Sequence, residues 1–162
     1  MSVPAIDSPG ISWLMPPRFF MICLIGGGVA EWLLPPFFVP FSTVPWLLRL
    51  VAGIAVAGAV FFFMMSGHSR FISVGTAVKT CRPATELVTG SSYRFSRNPM
   101  YVGLVAILLG VGAGANSLPM MLSALAMYLY LDRYVIRREE RYLRQRFGAD
   151  YDAYCRNVRR WL

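Results

Sequence analysis

With 162 residues, 56% of them hydrophobic, and a mean hydropathy of +0.51, the chain has room for one domain and is too apolar for an ordinary soluble fold. Its formal charge of +8 comes from 16 basic and 8 acidic residues, and every basic residue but Lys79 is Arg. Those arginines flank apolar segments and no basic-aromatic module accompanies them, which weighs against nucleic acid as a partner and points to anionic membrane lipids.

The first apolar piece runs from about Phe19 to Leu34 and is stopped by Pro35-Pro36, which cannot continue a helix. Residues 1–17 lack a basic start and the apolar run after Arg18 has no clean small-residue cleavage site, so no signal peptide is expected. The second piece, Leu50 to Gly67, is free of charge and, with Trp46 and Leu47, approaches the roughly 20 residues that cross a bilayer. A polar connection follows from His68 to Asn98, rich in Ser, Thr, Arg and Gly.

From Tyr101 to Leu131 no side chain is charged. That run is too long for one span, and residues 110–119, with three glycines, Asn116, Ser117 and Pro119, supply a break. The pattern predicts a hairpin of two helices. Pro99 suits the first turn of one, and Pro119 that of the next, with Asn116 or Ser117 as its cap.

The reading is therefore an all-α integral membrane protein of one domain over residues 1–162. It has about four transmembrane helices and a C-terminal cytoplasmic amphipathic segment. Two N-terminal spans occupy 19–67, a cytoplasmic connection 68–98, the helical hairpin 99–136 and cytoplasmic helices 137–162. Nine arginines follow Leu131, and five basic residues occupy the central connection. By the positive-inside rule both regions, and both termini, face the cytoplasm, in a setting that reads as a bacterial inner membrane.

On a helix from Asp132 to Phe147, Ile136, Leu143 and Phe147 share one face. Glu140 falls within that stripe, Glu139 on its border, and Arg137, Arg138, Arg141 and Arg144 on the flanking or opposite surface. A carboxylate on an apolar stripe has to be paired, hydrogen-bonded or neutralised. Either a salt bridge to Arg94 or Arg97 or a polar ligand delivered between helices meets that need. Beyond Gly148, Tyr151, Tyr154, Val158 and Trp161 recur at helical spacing between arginines, the pattern of an interfacial amphipathic helix. Cys23, Cys81 and Cys155 are odd in number and far apart, the single His68 reads as a loop residue near the headgroups, and no metal-ligand cluster is expected.

Four groups of residues then carry a resemblance. They are Gly75-Thr76 with Arg82-Pro83-Ala84-Thr85 and Leu87-Val88-Thr89; Tyr93-Arg94 with Arg97-Asn98-Pro99-Met100-Tyr101 and Gly103; Glu139-Glu140 with Leu143; and Phe147-Gly148 with Tyr151, Tyr154 and Val158. In this order they resemble the isoprenylcysteine carboxyl methyltransferase and phospholipid methyltransferase group of integral-membrane enzymes. Asn98 stands where the isoprenylcysteine enzymes carry His, so the chain looks more like the bacterial and phospholipid-type members.

The resemblance implies S-adenosylmethionine as cofactor and a lipophilic small molecule or lipid as methyl acceptor. It places Asn98, Pro99, Tyr101, Glu139, Glu140 and Leu143 around the cofactor, with Arg97 near the cofactor's carboxylate or in a structural pair, and leaves open which Glu makes which contact. Glu140 and Arg97 are the candidate catalytic residues, Glu140 as acceptor of a proton from an amine or thiol. In-line displacement at a sulfonium needs alignment and exclusion of water rather than a metal or a covalent nucleophile. Two other readings fit the same chain: an NADPH-dependent membrane reductase of the sterol-reductase type, and a non-catalytic assembly protein in which Glu140 and Arg97 lock helices together.

Overall fold

A computed structural model describes residues 14–34, 43–73 and 86–162, with backbone alone at 66–73. Pro35-Pro36, Gly75-Thr76, Lys79, Cys81 and Arg82-Pro83-Ala84-Thr85 lie outside the described residues, as do the side chains of His68 and Arg70. Among the described residues the regular structure is helical: α1 (Pro16–Leu33), α2 (Trp46–Ser73), a 3₁₀ turn (Ser91–Arg94), α3 (Pro99–Ala115), α4 (Leu118–Tyr130), a π-helical turn (Leu131–Ile136), α5 (Arg137–Phe147) and α6 (Ala149–Asn157).

The α3–α4 hairpin is the centre of the fold, with α2 packed along α3 and α1 along α4. Prolines open α1, α3 and α4, where their missing N–H would have had no intrahelical partner. Helix α3 stops because Asn116 enters the left-handed region at φ 55°, a conformation Asn tolerates better than most residues. The Ser117 N–H then reaches back to the Gly112 carbonyl at 2.8 Å, closing a Schellman-type turn. Ser117 caps α4 by accepting from the Met120 N–H at 3.2 Å, and its hydroxyl donates to Glu31 of α1 at 2.5 Å.

Close approach between the helices depends on glycine at two points. A methyl on Gly112 would sit 2.8 Å from Met121 Cγ and 3.0 Å from its backbone nitrogen, and one on Gly27 would sit 3.0 Å from Met120 Sδ. The core that results joins Cys23, Tyr101, Leu108, Ala124, Met127 and Leu131. At the N-terminal end of α1, Phe19 packs on Tyr130 with ring centroids 4.2 Å apart, and the Tyr130 hydroxyl donates to the Leu14 carbonyl.

Four transmembrane helices are expected from the hydropathy pattern, and the structure corrects this. Among the described residues one helix is long and apolar enough to cross a membrane, the 20-residue stretch Trp46–Met65 with mean hydropathy 2.3. Helix α1 carries Arg18 and Glu31 near its two ends, along with two prolines and three glycines. Helix α3 has only 17 residues, and α4 has 13 before its rod continues into Asp132 and Arg133. Length sets α3 and α4 apart from α2, and in the 18-residue α1 the two charges, prolines and glycines lower the mean hydropathy. Helix α2 packs one face on α3 and leaves Leu50, Val51, Ile54, Phe61 and Phe62 exposed, a surface suited to hydrocarbon contact and hence to membrane association.

A second correction concerns the chain after Gly148. The spacing of Tyr151, Tyr154, Val158 and Trp161 predicts one amphipathic helix, yet α6 ends at Asn157 and Val158 is extended. Tyr151 and Tyr154 are buried, and the Tyr154 hydroxyl donates to the Tyr93 carbonyl at 2.7 Å, anchoring α6 to the 3₁₀ turn.

Candidate functional site

The rod from Leu118 to Phe147 passes through the π-helical turn without leaving the right-handed helical region. Leu131, Val135 and Ile136 of that turn are wholly buried, which fixes the rod's rotation against the core. A π turn adds a residue to the helical repeat and so re-aims the side chains beyond it. Beyond it Glu139 meets Tyr101 and Glu140 meets Arg97 at the start of α3, while Asp132 within the turn meets Arg160 and Trp161.

Tyr101 projects from the first turn of α3 and its hydroxyl donates to Glu139 Oε1 at 2.6 Å. Tyr101 is buried and Glu139 is packed deeply enough that burial raises its carboxyl to about 7. The Tyr101 hydrogen bond opposes that rise and the neighbouring Glu140 charge adds to it. Tyr93, buried on the 3₁₀ turn, has its phenol pushed up by the same loss of solvent and by the Glu139 charge. That turn starts from Ser91 at φ 57°, an unusual conformation for a residue with a side chain.

Glu140 sits in a different environment one residue on. Arg97 Nη1 lies 3.2 Å from its Oε1, and Arg160 binds it with both arms of the fork, Nε to Oε1 at 3.0 Å and Nη2 to Oε2 at 2.7 Å. Arg160 in turn places Nη1 3.4 Å from Asp132 Oδ1, which also accepts from the Trp161 indole at 3.0 Å. Arg97 Nη1 touches the Cys155 sulfur, while Arg97 Nε is buried without a hydrogen-bond partner. The adjacent carboxylates thus divide: Glu139 is shielded, hydrogen-bonded and poised to exchange a proton near neutrality, and Glu140 is fixed between two guanidiniums.

Asn98 precedes α3, but its side chain leaves the helix N-terminus uncapped and donates instead to the Arg160 carbonyl at 2.9 Å. Its backbone N–H donates to Ser96 Oγ at 3.1 Å, and Ser96 is itself fully buried. Pro99 is buried at the first turn. The structure therefore brings Arg97, Asn98, Tyr101, Glu139 and Glu140 into one cluster. Leu143, partly buried a turn beyond Glu139, lies outside its hydrogen-bonded network.

Sequence reasoning missed Asp132, Arg160 and Trp161. Asp132 carried a partial signal, since on a regular helix it would share a side with Glu139 seven residues on, a register that the π turn between them alters. Arg160 and Trp161 carried no such signal, because a periodic aromatic pattern continues through the point where the helix ends. At the far end of the α3–α4 hairpin, an open hollow of about 380 Å³ is lined by Ala30, Leu34, Leu118, Pro119 and Leu122. It is apolar and has none of the ionisable groups gathered at the start of α3.

The chain, helical among its described residues and carrying one helix apolar enough to cross a membrane, also matches a known family. The family model described as phospholipid methyltransferase matches residues 48–150, well over half of the chain, and the chain belongs to that family of methyl-transferring enzymes. It is also 36% identical over 63 residues to an uncharacterized protein of Haemophilus influenzae, a match spanning 39% of this chain and all of that protein. No solved structure matches the chain.

Proposed function

We propose that this chain transfers a methyl group from S-adenosylmethionine to a lipophilic acceptor at the cluster of Arg97, Asn98, Tyr101, Glu139 and Glu140. The observation that carries the reading is the part-buried Tyr101–Glu139 hydrogen bond set beside the Arg97–Glu140 ion pair. Together these groups offer acceptors for an ammonium and for ribose hydroxyls, and cationic donors for a carboxylate. The buried Arg97 Nε, which lacks a partner, is a donor that such a ligand would satisfy. These donors and acceptors are of the kinds that the cofactor's amino-acid end and ribose call for.

When bound, S-adenosylmethionine supplies an electrophilic methyl on a sulfonium that departs as a neutral thioether. The chain's own part is to hold, orient and dehydrate. Glu139, with its carboxyl near 7, is the group suited to take the proton that an amine or thiol acceptor gives up. Tyr101 donates to Glu139 and so favours its charged form. Glu140, with its charge balanced by Arg97 and Arg160, serves binding and position rather than proton exchange. We place the acceptor's apolar portion against the apolar stretch of α2, with the arginine-rich α5 on the cytoplasmic side.

Incubation of purified protein with methyl-labelled S-adenosylmethionine and a membrane lipid extract tests this. Label should enter a solvent-extractable species, and Glu139→Gln should lower that transfer at least about a hundredfold if the acceptor must lose a proton. Transfer of no label, together with oxidation of NADPH by the same extract, would replace the reading with a reductase.

A further inference from the structure

After Asn157 the backbone turns extended at Val158, with φ −126° and ψ 133°, and residues 158–162 run back onto the polar cluster. The Arg159 carbonyl accepts from the Arg97 N–H at 2.9 Å. The Arg160 carbonyl accepts from Asn98 Nδ2 at 2.9 Å and from Ser96 Oγ at 3.4 Å. Arg160 grips both oxygens of Glu140, and Trp161 bonds Asp132 while its ring tilts against Tyr128, centroids 4.9 Å apart. Each of three successive residues is thus tied to the start of α3 or to the long rod.

These ties engage the groups that the proposed function assigns to the cofactor. A carboxylate offers about four acceptor positions; on Glu140, Arg160 occupies one on each oxygen and Arg97 adds a contact to Oε1. The Asn98 side chain spends one of its N–H donors on the Arg160 carbonyl. A guanidinium on a carboxylate is what an ammonium ligand would replace. The hold is also releasable, because the Arg160 side chain is 34% exposed and its ion pairs are open to solvent screening. Residues 158–162 lie beyond the 48–150 matched to the family.

We propose that residues 158–162 are a strap that occupies part of the cofactor site and withdraws when S-adenosylmethionine binds, with Arg160 standing on Glu140 in place of the cofactor's ammonium. This rests on the reading of the site given above. In the strapped state the site is closed to the cofactor, and the measured affinity is the intrinsic one reduced by the fraction of molecules unstrapped. Weakening the strap without touching Glu140 therefore raises affinity.

The test is S-adenosylmethionine binding to the full chain in detergent, measured for the wild type, Trp161→Ala and Asp132→Asn, together with hydrogen exchange at the Arg97 amide, which the Arg159 carbonyl protects. Both variants should bind about three- to tenfold more tightly than the wild type, and saturating cofactor should speed exchange at Arg97 in the wild type. Equal or weaker binding in both variants, with exchange at Arg97 unchanged or slowed by cofactor, would make residues 158–162 a fixed wall of the site and overturn the strap alone. Absence of saturable binding in all three proteins would instead remove the cofactor reading, and the strap with it. Two variants and a wild-type exchange measurement keep the outcome clear if Trp161→Ala, which also loses core packing, is poorly folded.

Discussion

The Tyr101 hydroxyl and Glu139 carboxylate, 38 residues apart, meet at 2.6 Å between the first turn of α3 and the start of α5. That contact joins the hairpin to the rod beyond it and gives a buried acid its hydrogen-bond donor. Tyr101→Phe keeps the ring and deletes the donor. Loss of a hydrogen bond to a buried carboxyl should cost about 1–3 kcal/mol of stability, and the Glu139 carboxyl should rise further above 7 because the bond that lowered it is gone. Denaturant unfolding in detergent and the pH profile of methyl transfer check the two halves of this prediction, and the profile should move to higher pH.

Glu139 makes stability depend on pH with a definite sign. Burial raises its carboxyl from 4.5 to about 7, so the fold prefers the protonated form. Its contribution is complete below the unfolded value and is lost as pH rises through the folded one. Stability should fall by about 3 kcal/mol between roughly pH 4.5 and pH 7 on this account and level off above that. Glu139→Gln should flatten this part of the curve, which chemical denaturation across the window would show; an unaltered slope would mean that Glu139 is ionised throughout.

Glu140 balances two guanidiniums, with 13% of its side chain exposed against 15% for Arg97 and 34% for Arg160. Glu140→Ala leaves those cations facing each other and should destabilise by about 3 kcal/mol, as expected when one partner of a largely buried pair is removed. In Arg97→Ala/Glu140→Ala the loss should be smaller than the sum of the single losses, by about 1–3 kcal/mol. A double-mutant cycle measures this coupling, and strict additivity would show that the pair is not energetically joined.

Helix packing gives a comparison independent of the chemistry. Gly112→Ala places a methyl 2.8 Å from Met121 Cγ and 3.0 Å from backbone, so α3 and α4 must part; about 1–3 kcal/mol should be lost. Gly26 on α1 has open space around the same position, and Gly26→Ala should gain about 0.5–1 kcal/mol from helix propensity. Opposite shifts in melting temperature are the expected readout.

Much of the local structure was legible because single residues dictate it. Pro99 and Pro119 mark helix starts, and the Asn116-Ser117 pair makes the break between α3 and α4. The need of a carboxylate on an apolar stripe for a partner pointed to Arg94, Arg97 or a ligand, and Arg97 supplies an ion pair. The number of spans was misread because an apolar run does not give the helix length, which is short in α3 and α4, and because Arg18, Glu31 and the prolines dilute the apolar character of α1. The π-helical turn was invisible because its residues are ordinary helix formers and only packing selects the extra residue. The return of Arg160 and Trp161 to the site was hidden by a periodicity that the backbone abandons at Asn157.

Equilibrium binding of S-adenosylmethionine to the purified chain tests the central claim most directly. The account predicts saturable binding by the wild type that falls at least tenfold in Glu139→Ala, with the variant still folded by circular dichroism. Binding equal in the two proteins, or none in either, would contradict it.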